Sequence, residues 1–254
     1  MIRSIIESFR KKHKAYKKAK DRIRYEGPNV VCPICQSSFK VFAPFGLGHR
    51  PNARCINCDS LERHRLLWLY FKEATNLFDQ KKKKLLHFAP EEMFYNVFSS
   101  NPHIEYVGCD LFPEIYNYKG PVKITKADIT AIPFEAESFD VILCNHVLEH
   151  IPDDRKAMME LRRVLKPGGW CILQVPIEYN RKETYEDFSI NTRAGRKKAF
   201  GKTDHVRVYG QDYKDRLVQA GFTVKEDAFI NKFSPEEMHR YGLMSGEMIY
   251  YCTK

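Results

Sequence analysis

The chain of 254 residues lacks any uninterrupted apolar run of about 18 residues, so we expect no helix that crosses a membrane. Its first residues lack the apolar stretch and small-residue cleavage site typical of a secretory signal. No internal repeat is visible, which argues against solenoids and propellers. We therefore expect a cytoplasmic protein. In a reducing compartment its eight cysteines are predicted to be free thiols or metal ligands rather than disulfides.

Positive charge is concentrated in the first part of the chain. Residues 1–24 contain ten Lys or Arg and two acidic residues, whereas the rest has 32 basic and 30 acidic residues. Apolar residues recur there at three- and four-residue steps, which predicts a basic amphipathic helix within residues 1–27. Such a helix could contact an anionic membrane surface, a protein partner or RNA, or lie solvated on the protein itself. The nearly neutral remainder favours a small-molecule substrate over RNA.

Residues 28–60 contain two Cys-x-x-Cys pairs. Cys32 and Cys35 are followed after 19 residues by Cys55 and Cys58. This spacing lets four thiolates bind one tetrahedral ion at about 2.3 Å and leaves no open coordination position. A segment this short has little hydrophobic core, so metal binding would supply much of its folding energy. The pattern predicts a structural zinc module; a redox dithiol or buried free thiols are the alternatives.

Over residues 81–254, short apolar strands alternate with helices, the pattern of a parallel sheet covered on both faces. A helix over residues 61–80 is predicted to join this domain to the zinc module. Residues 180–203 have little apolar periodicity, which indicates an insertion that acts as a substrate lid or an ordinary solvated loop. The predicted strands are residues 85–88, 104–109, 122–127, 139–144, 170–175, 222–229 and 247–252, with helices at 91–99, 153–165 and 209–220.

Two aspartates directly follow predicted strands. Ligands of open α/β sheets bind beyond the carboxyl ends of the strands, so polar residues there are candidate site residues. Asp110 follows the second strand, where its two oxygens can accept hydrogen bonds from both hydroxyls of a ribose. Asp128 follows the third strand and can accept from an exocyclic amine such as that of adenine. Either aspartate alone would be an ordinary turn residue, and their order makes the pair informative.

Several segments in this region resemble the class I methyltransferases that use S-adenosylmethionine, and the group often called type 11 in particular. The segments are residues 127–130, 132–134, 138–142, 145–151 and 161–169. The resemblance implies a Rossmann-like seven-stranded sheet with helices on both faces and a final antiparallel strand. It also implies ribose binding by Asp110, adenine contact by Asp128, and cofactor or substrate contact by Asn145 and His146. Ile129, next to Asp128, is a further candidate for cofactor contact.

The first loop departs from that family, which usually has an acidic residue followed by x-Gly-x-Gly. Here it reads His87-Phe88-Ala89-Pro90-Glu91 and contains no glycine. S-adenosylmethionine carries no phosphate, so the loss of backbone donors matters less than it would for a dinucleotide. We predict that His87, Ala89 and Glu91 line the cofactor site and that Glu91 pairs with the cofactor's ammonium. A methyltransferase fold that binds cofactor poorly is the alternative.

Polar residues cluster in the loop that precedes the last predicted helix. Methyl transfer requires a nucleophile held near the sulfonium, and a hydroxyl nucleophile requires a base. We predict that His205 is this base, with His146 and Glu178 as further candidates. We also predict that the guanidinium of Arg207 donates hydrogen bonds to an anionic group of the substrate. The alternative is structural, with Arg207 paired to Asp204 and His205 capping the loop.

Together these features predict an enzyme, an S-adenosylmethionine-dependent methyltransferase with structural zinc. We expect a small-molecule or glycan acceptor, with O-methylation favoured. One alternative is an rRNA or RNA methyltransferase whose zinc module binds RNA, although the cysteine spacing differs from that of rRNA guanine methyltransferases. The other is a catalytically weak binding protein with a methyltransferase fold.

Overall fold

The computed structural model describes residues 16, 18–46 and 48–254. The chain divides into two compact units, Met1–Asn76 with Ala228–Glu247, and Leu77–Asp227 with Met248–Lys254. The sequence analysis placed Ala228–Glu247 in the methyltransferase domain, but this segment groups with the cysteine-containing unit. Within the described part of the chain, no helix is long and apolar enough to cross a membrane.

Most of the predicted basic helix lies outside the described residues. Residues 18–24 are helical. Two basic side chains from this stretch contact the cysteine module: Lys18 lies 3.7 Å from Asp59, and Arg22 donates to Asn57. The prediction that residues 1–24 contact a membrane or a partner stays a prediction.

The first unit begins with two small antiparallel ladders. β1 (Val30–Val31) pairs with β2 (Ser38–Phe39), and β3 (Ala43–Phe45) pairs with β4 (Arg50–Arg54). Helix α1 (Glu62–Glu73) follows. The small core around the ladders contains Val30, Cys32, Phe39, Phe42, Ala43, Cys55 and Ile56.

A buried arginine explains why a distant segment belongs to this unit. Arg65 of α1 is fully buried, and its guanidinium donates to the carbonyl oxygens of Ser60 (2.9 Å), Tyr241 (2.6 Å) and Gly242 (2.6 Å). It also lies 4.1 Å from the centre of the Phe42 ring. Because a buried guanidinium must have its donors satisfied, these bonds hold the end of the Ala228–Glu247 segment beside the cysteine module.

The second unit is built on a mostly parallel sheet. Its first strands are β5 (Lys83–Phe88), β6 (Ile104–Asp110), β7 (Thr125–Lys126), β8 (Phe139–Asn145) and β9 (Leu165–Gln174). β10 (Tyr185–Glu186) and β11 (Arg207–Val208) form a separate antiparallel pair, and β12 (Thr223–Asp227) and β13 (Ile249–Thr253) return to the sheet. The strand order is β12-β13-β9-β8-β5-β6-β7, with β13 antiparallel to both neighbours. The predicted seven-stranded sheet with a final antiparallel strand is confirmed.

Helices connect the strands. The helices of the second unit are α2 (Glu92–Phe98), α3 (Asp154–Val164), α4 (Arg193–Phe200) and α5 (Tyr213–Gln219), and α6 (Pro235–Tyr241) belongs to the first unit. The Asp153 side chain accepts a hydrogen bond from Lys156 N at the start of α3, which satisfies one of the free amides there. In the central strand β8, Val141, Ile142 and Leu143 are fully buried, as expected for a parallel strand covered on both faces.

Several predicted elements have different bounds in the structure. The helix predicted over residues 61–80 ends at Glu73, and the helix predicted over residues 209–220 is Tyr213–Gln219. β7 contains only Thr125–Lys126 instead of residues 122–127, because it lies at the sheet edge and pairs only with the last two residues of β6. β9 begins at Leu165, five residues before the predicted start. At position 169 within this strand, a β-carbon would lie 2.8 Å from Asp140 O, so the close approach requires glycine. The predicted insertion at 180–203 contains β10 and α4, so it is more regular than its composition indicated.

Candidate functional site

Polar side chains from two strand ends and the loop between β5 and α2 meet in the second unit. His87 of β5 is fully buried, and its Nε2 lies 2.8 Å from Glu91 Oε2. Its Nδ1 lies 3.1 Å from the Tyr106 hydroxyl. Asn145, the last residue of β8, donates from Nδ2 to Glu91 Oε1 at 3.3 Å. The structure therefore brings together three residues predicted to line the cofactor site: His87, Glu91 and Asn145.

Asn145 leaves one acceptor unused. The residue is 4% exposed, and its Oδ1 is buried with no hydrogen-bond partner among the described residues. A buried acceptor without a partner costs about 1–3 kcal/mol, so a native protein rarely keeps one without a reason. Together with the carboxylate of Glu91, this oxygen suits a ligand that donates several hydrogen bonds and carries positive charge.

The glycine-less loop keeps a backbone conformation that glycine adopts more easily. Ala89 has φ +47° and donates from its N–H to Cys109 O at 2.9 Å. His146, after β8, has φ +55°. A β-carbon in the left-handed region costs about 1–2 kcal/mol, and such strain persists where surrounding structure enforces it, often at functional sites.

Asp110 is held at the end of β6 by two local donors. Its Oδ1 accepts from Phe112 N at 2.8 Å, and its Oδ2 accepts from the Tyr116 hydroxyl at 2.6 Å. Burial, and then the Asp110 carboxylate itself, raise the pKa of Tyr116, so this hydroxyl stays a donor. Each carboxylate oxygen has a second lone pair, so the fork can still accept from two vicinal hydroxyls. Tyr116 lies six residues beyond the aspartate that it orients, and no motif in the sequence marks it.

Asp128 follows the edge strand in a turn of its own. Its Oδ1 accepts from both the backbone N–H and the hydroxyl of Thr130 at 2.8 Å, and these bonds lower the pKa of Asp128. Oδ2 takes part in neither bond and is available to a ligand amine. Ile129 points into the core, where it is 4% exposed, so only its backbone is a candidate for cofactor contact.

Arg207 is placed differently from the prediction of a substrate-binding residue. It is 1% exposed, and its guanidinium donates to Glu186 Oε2 (2.9 Å) and to the carbonyls of Leu148 (2.9 Å), Ile151 (2.5 Å) and Pro152 (2.8 Å). These bonds use its donors within the protein, so the geometry does not support direct contact with a substrate. The alternative pairing with Asp204 is also not what the structure shows.

The histidine candidates lie on two neighbouring segments. His205 is half-buried, and burial lowers its pKa. Its ring centre lies 4.7 Å from that of His150. His146 Nδ1 lies 3.3 Å from Glu149 Oε1. Glu178, the remaining candidate, is exposed.

The four cysteines of the first unit form one cluster. Their sulfurs lie within 4.8 Å of one another, with Cys32 Sγ 3.6 Å from Cys58 Sγ and Cys35 Sγ 3.7 Å from Cys55 Sγ. A tetrahedral ion with bonds of about 2.3 Å requires sulfurs about 3.8 Å apart, so the geometry fits. The Ser60 hydroxyl lies 3.3 Å from Cys32 Sγ and 3.2 Å from Cys58 Sγ, where it can donate to a thiolate.

The two cysteine pairs repeat one local geometry. Gln36 N donates to Cys32 O at 2.9 Å, and Asp59 N donates to Cys55 O at 3.0 Å. Gln36 and Asp59, each directly after the second cysteine of its pair, have φ of +58° and +60°. The shared turn directs both thiols of a pair toward the same point.

Comparison with known proteins supports the class inferred from these residues. Residues 92–173 match the family model described as a methyltransferase domain. The matched stretch contains Asp110, Asp128 and Asn145 and runs from α2 into β9. The match is to a methyltransferase domain over part of the chain, in the region where the sequence predicts one.

Two curated relatives match shorter stretches of the chain than the family model does. Ubiquinone/menaquinone biosynthesis C-methyltransferase UbiE of Idiomarina loihiensis is 33% identical over 75 residues, which are 28% of this chain and 30% of that protein. Sterol 4-C-methyltransferase strm-1 of Caenorhabditis elegans is 45% identical over 58 residues, 23% of this chain and 17% of that protein. A solved S-adenosylmethionine dependent methyltransferase from Mesorhizobium loti has a TM-score of 0.49 and 14% identity over 74% of this chain and 98% of its own. The chain thus spans less than a third of the length of either curated relative.

Proposed function

We propose that this protein transfers the methyl group of S-adenosylmethionine to a small-molecule acceptor. The observation that carries the proposal is the group at the strand ends, in which Asn145 donates from Nδ2 to the Glu91 carboxylate and keeps Oδ1 unused. S-adenosylmethionine supplies a methyl group on a positively charged sulfur and presents an ammonium, a carboxylate and a ribose to the protein.

Each of these cofactor groups has a candidate partner. Glu91 and Asn145 Oδ1 would accept from the ammonium, which satisfies the unused acceptor. Asp110, held by Phe112 and Tyr116, would accept from the ribose hydroxyls. Asp128 Oδ2 would accept from the adenine amine. His87 is a buried support for Glu91 rather than a ligand residue, because both of its ring nitrogens are occupied by protein groups.

The acceptor is proposed to react through oxygen. His205 and His146 are the candidate bases, and the lowered pKa of His205 keeps its imidazole neutral and able to take a proton near neutral pH. The two curated relatives are C-methyltransferases by name, one in ubiquinone and menaquinone biosynthesis and one acting on sterols, so a carbon next to an oxygen function is the competing position. A small-molecule acceptor is common to the O-methylation and C-methylation alternatives. A glycan acceptor is one specific case of the small-molecule proposal.

The first unit is proposed to hold structural zinc through Cys32, Cys35, Cys55 and Cys58. The sulfur separations suit a tetrahedral ion, and four thiolates leave no position for a substrate. The ion would stabilise a module whose core is only a few residues across.

Calorimetric titration of the zinc-loaded protein with S-adenosylmethionine and S-adenosylhomocysteine tests the cofactor assignment. We expect binding to both, weakened about 10- to 100-fold by Asp110→Ala, because hydrogen bonds to a charged group contribute about 1.5–3 kcal/mol. Glu91→Ala should weaken binding by a similar factor.

Glu92→Ala is the matched control for Glu91→Ala, since Glu92 is the adjacent, exposed glutamate at the start of α2. If the folded wild-type protein binds neither compound, the proposed function is wrong. If Glu91→Ala binds as tightly as the wild type, only the ammonium assignment is wrong.

A further inference from the structure

A second set of metal-ligating side chains lies in the second unit. Glu149, His150 and His205 each offer one ligand atom, and these atoms lie within 4.8 Å of one another. We propose that these three residues bind a divalent first-row transition metal ion through two imidazoles and one carboxylate. Of these three residues, the sequence predicts a role only for His205, as a base.

Glu149 shows the clearest need for a cation. It is 2% exposed, and its Oε2 is buried without a hydrogen-bond partner among the residues that the structure describes. Its other oxygen lies 3.3 Å from His146 Nδ1. A buried carboxylate is costly unless it is paired or coordinates a metal. Arg207 does not supply the missing charge, because its donors go to Glu186 and to backbone carbonyls.

His150 is oriented as histidine ligands of metals usually are. His150 Nδ1 lies 3.2 Å from Asp204 O, and this bond requires the proton on Nδ1. The lone pair of Nε2 is then free to bind an ion, and a carbonyl behind a histidine is a frequent second partner at metal sites. The His150 and His205 rings are 4.7 Å apart at 87°, so their nitrogens can approach one ion from different directions.

The backbone holds the two contributing segments together. Val206 N donates to Glu149 O at 3.0 Å, directly after His205. Arg207 then fixes the same loop to the carbonyls of Leu148, Ile151 and Pro152. The ligands therefore come from two segments that are tied to each other without the ion, so the site is pre-formed.

The donor set indicates which ions fit. Imidazole and carboxylate donors suit Zn²⁺, Mn²⁺, Fe²⁺ and Co²⁺, whereas the thiolates of the cysteine cluster select zinc. Three protein ligands leave open positions that an oxygen of the acceptor could occupy, and a bound ion lowers the pKa of such a hydroxyl. This role rests on the proposed methyl transfer, but binding of the ion does not. With His205 as a ligand, His146 becomes the candidate base.

Titration of the zinc-loaded full-length protein with Mn²⁺, followed by the paramagnetic resonance of free Mn²⁺, tests the site. Mn²⁺ prefers oxygen and nitrogen donors, so it should not displace zinc from four thiolates. We expect about one Mn²⁺ per chain, with affinity at least about tenfold weaker in Glu149→Gln and in His205→Ala. His103→Ala is the control, because His103 is an exposed histidine outside the cluster, and its affinity should equal the wild type's.

Co²⁺ is the second probe, since its absorption spectrum distinguishes nitrogen and oxygen ligands from thiolates. Circular dichroism of each variant without added ion verifies folding. The proposal is overturned if the wild type binds neither ion beyond its zinc, or if both variants bind as tightly as the wild type. Calorimetry with S-adenosylmethionine on the same samples separates the two hypotheses, because cofactor binding without Mn²⁺ or Co²⁺ binding refutes only the metal site.

Discussion

The cysteine cluster of the first unit and the strand-end site of the second are assembled in different ways. The four cysteines lie within 27 residues of chain, and each pair is shaped by its own turn. The polar residues of the sheet come from β5, β6 and β8 and from the loops after β5 and β7. Residues 87, 110, 128 and 145 therefore reach the carboxyl edge of the sheet only when the sheet is built. A local pattern can therefore predict all four members of the cysteine cluster, whereas it predicts the strand-end residues only by their type and order.

The two sites also differ in the size of the hydrophobic core that supports them. The cysteine module has a small core, and the described structure places four sulfurs at metal-binding separations there. The sheet has a large core that fixes its strands independently of a ligand. Removing a ligand group should therefore unfold the first site but only weaken binding at the second.

The largest expected effect is loss of the cysteine cluster. Cys35→Ser should abolish binding of about one zinc ion per chain and unfold the first unit, because structural zinc contributes about 10–16 kcal/mol of apparent binding free energy. Zinc content by elemental analysis and amide hydrogen exchange of residues 28–60 measure the two outcomes. The seven-stranded sheet should keep its exchange protection.

Cys109→Ala provides the matched control, since Cys109 is a fully buried cysteine of β6 outside the cluster. It should keep its zinc. A Cys35→Ser protein that loses its zinc but keeps the exchange protection of residues 28–60 would show that the module folds on its core alone, which would remove the difference between the two regions.

A smaller effect is expected for the ion-pair network that supports the loop around Arg207. Glu186 accepts from Arg207 Nε at 2.9 Å and from Arg216 Nη2 at 3.1 Å. Glu186→Gln should lower the free energy of unfolding by about 2–3 kcal/mol, measured by urea denaturation at neutral pH, because it removes charge-assisted hydrogen bonds to a buried guanidinium. The exposed Glu183 of the same segment is the control, and Glu183→Gln should change little.

The pH dependence of this difference has a definite sign. Burial raises the pKa of Glu186, but its bonds with Arg216 and Arg207 outweigh burial, so the pKa lies below its ordinary value. The stabilisation is therefore fully present above about pH 4.3 and is lost as the pH falls through the lowered pKa. Wild type and Glu186→Gln should converge in stability on the acid side. A gap that widens there would contradict the ion-pair explanation.

The smallest effect concerns Asp128, for which the chain offers a close structural match. Asp128 Oδ1 accepts from the N–H and hydroxyl of Thr130, and Asp187 Oδ1 accepts in the same way from Ser189. Both turns should be weakened similarly by alanine. Only Asp128→Ala should also weaken S-adenosylhomocysteine binding, by about fivefold to tenfold, since one hydrogen bond contributes about 1 kcal/mol. Equal affinities in the two variants would remove Asp128 from the cofactor site.

Sequence reasoning succeeded where the signal is carried by residue type at a fixed position. The alternation of strands and helices predicted the sheet, and Asp110 lies at the end of β6, as the sequence predicted. Its role in cofactor binding stays a prediction. Sequence reasoning failed for Arg207, whose position in a polar loop resembled a substrate contact, because nothing in the local sequence shows that four carbonyl and carboxylate groups surround it. The sequence also did not show that Asn145 Oδ1 and Glu149 Oε2 lack a hydrogen-bond partner among the described residues. Whether a buried group is hydrogen-bonded depends on neighbours that are distant in sequence.

The sequence by itself determined the four members of the cysteine cluster, the order of the strands along the chain and the residues that follow them. Spacing and periodicity are local properties of the chain. Only the tertiary structure decided which polar groups remain unsatisfied, and how His150 and His205, 55 residues apart, come to face each other beside a buried carboxylate. The physical reason is that hydrogen bonds and desolvation are set by every group packed around an atom, and most of those groups are distant in sequence.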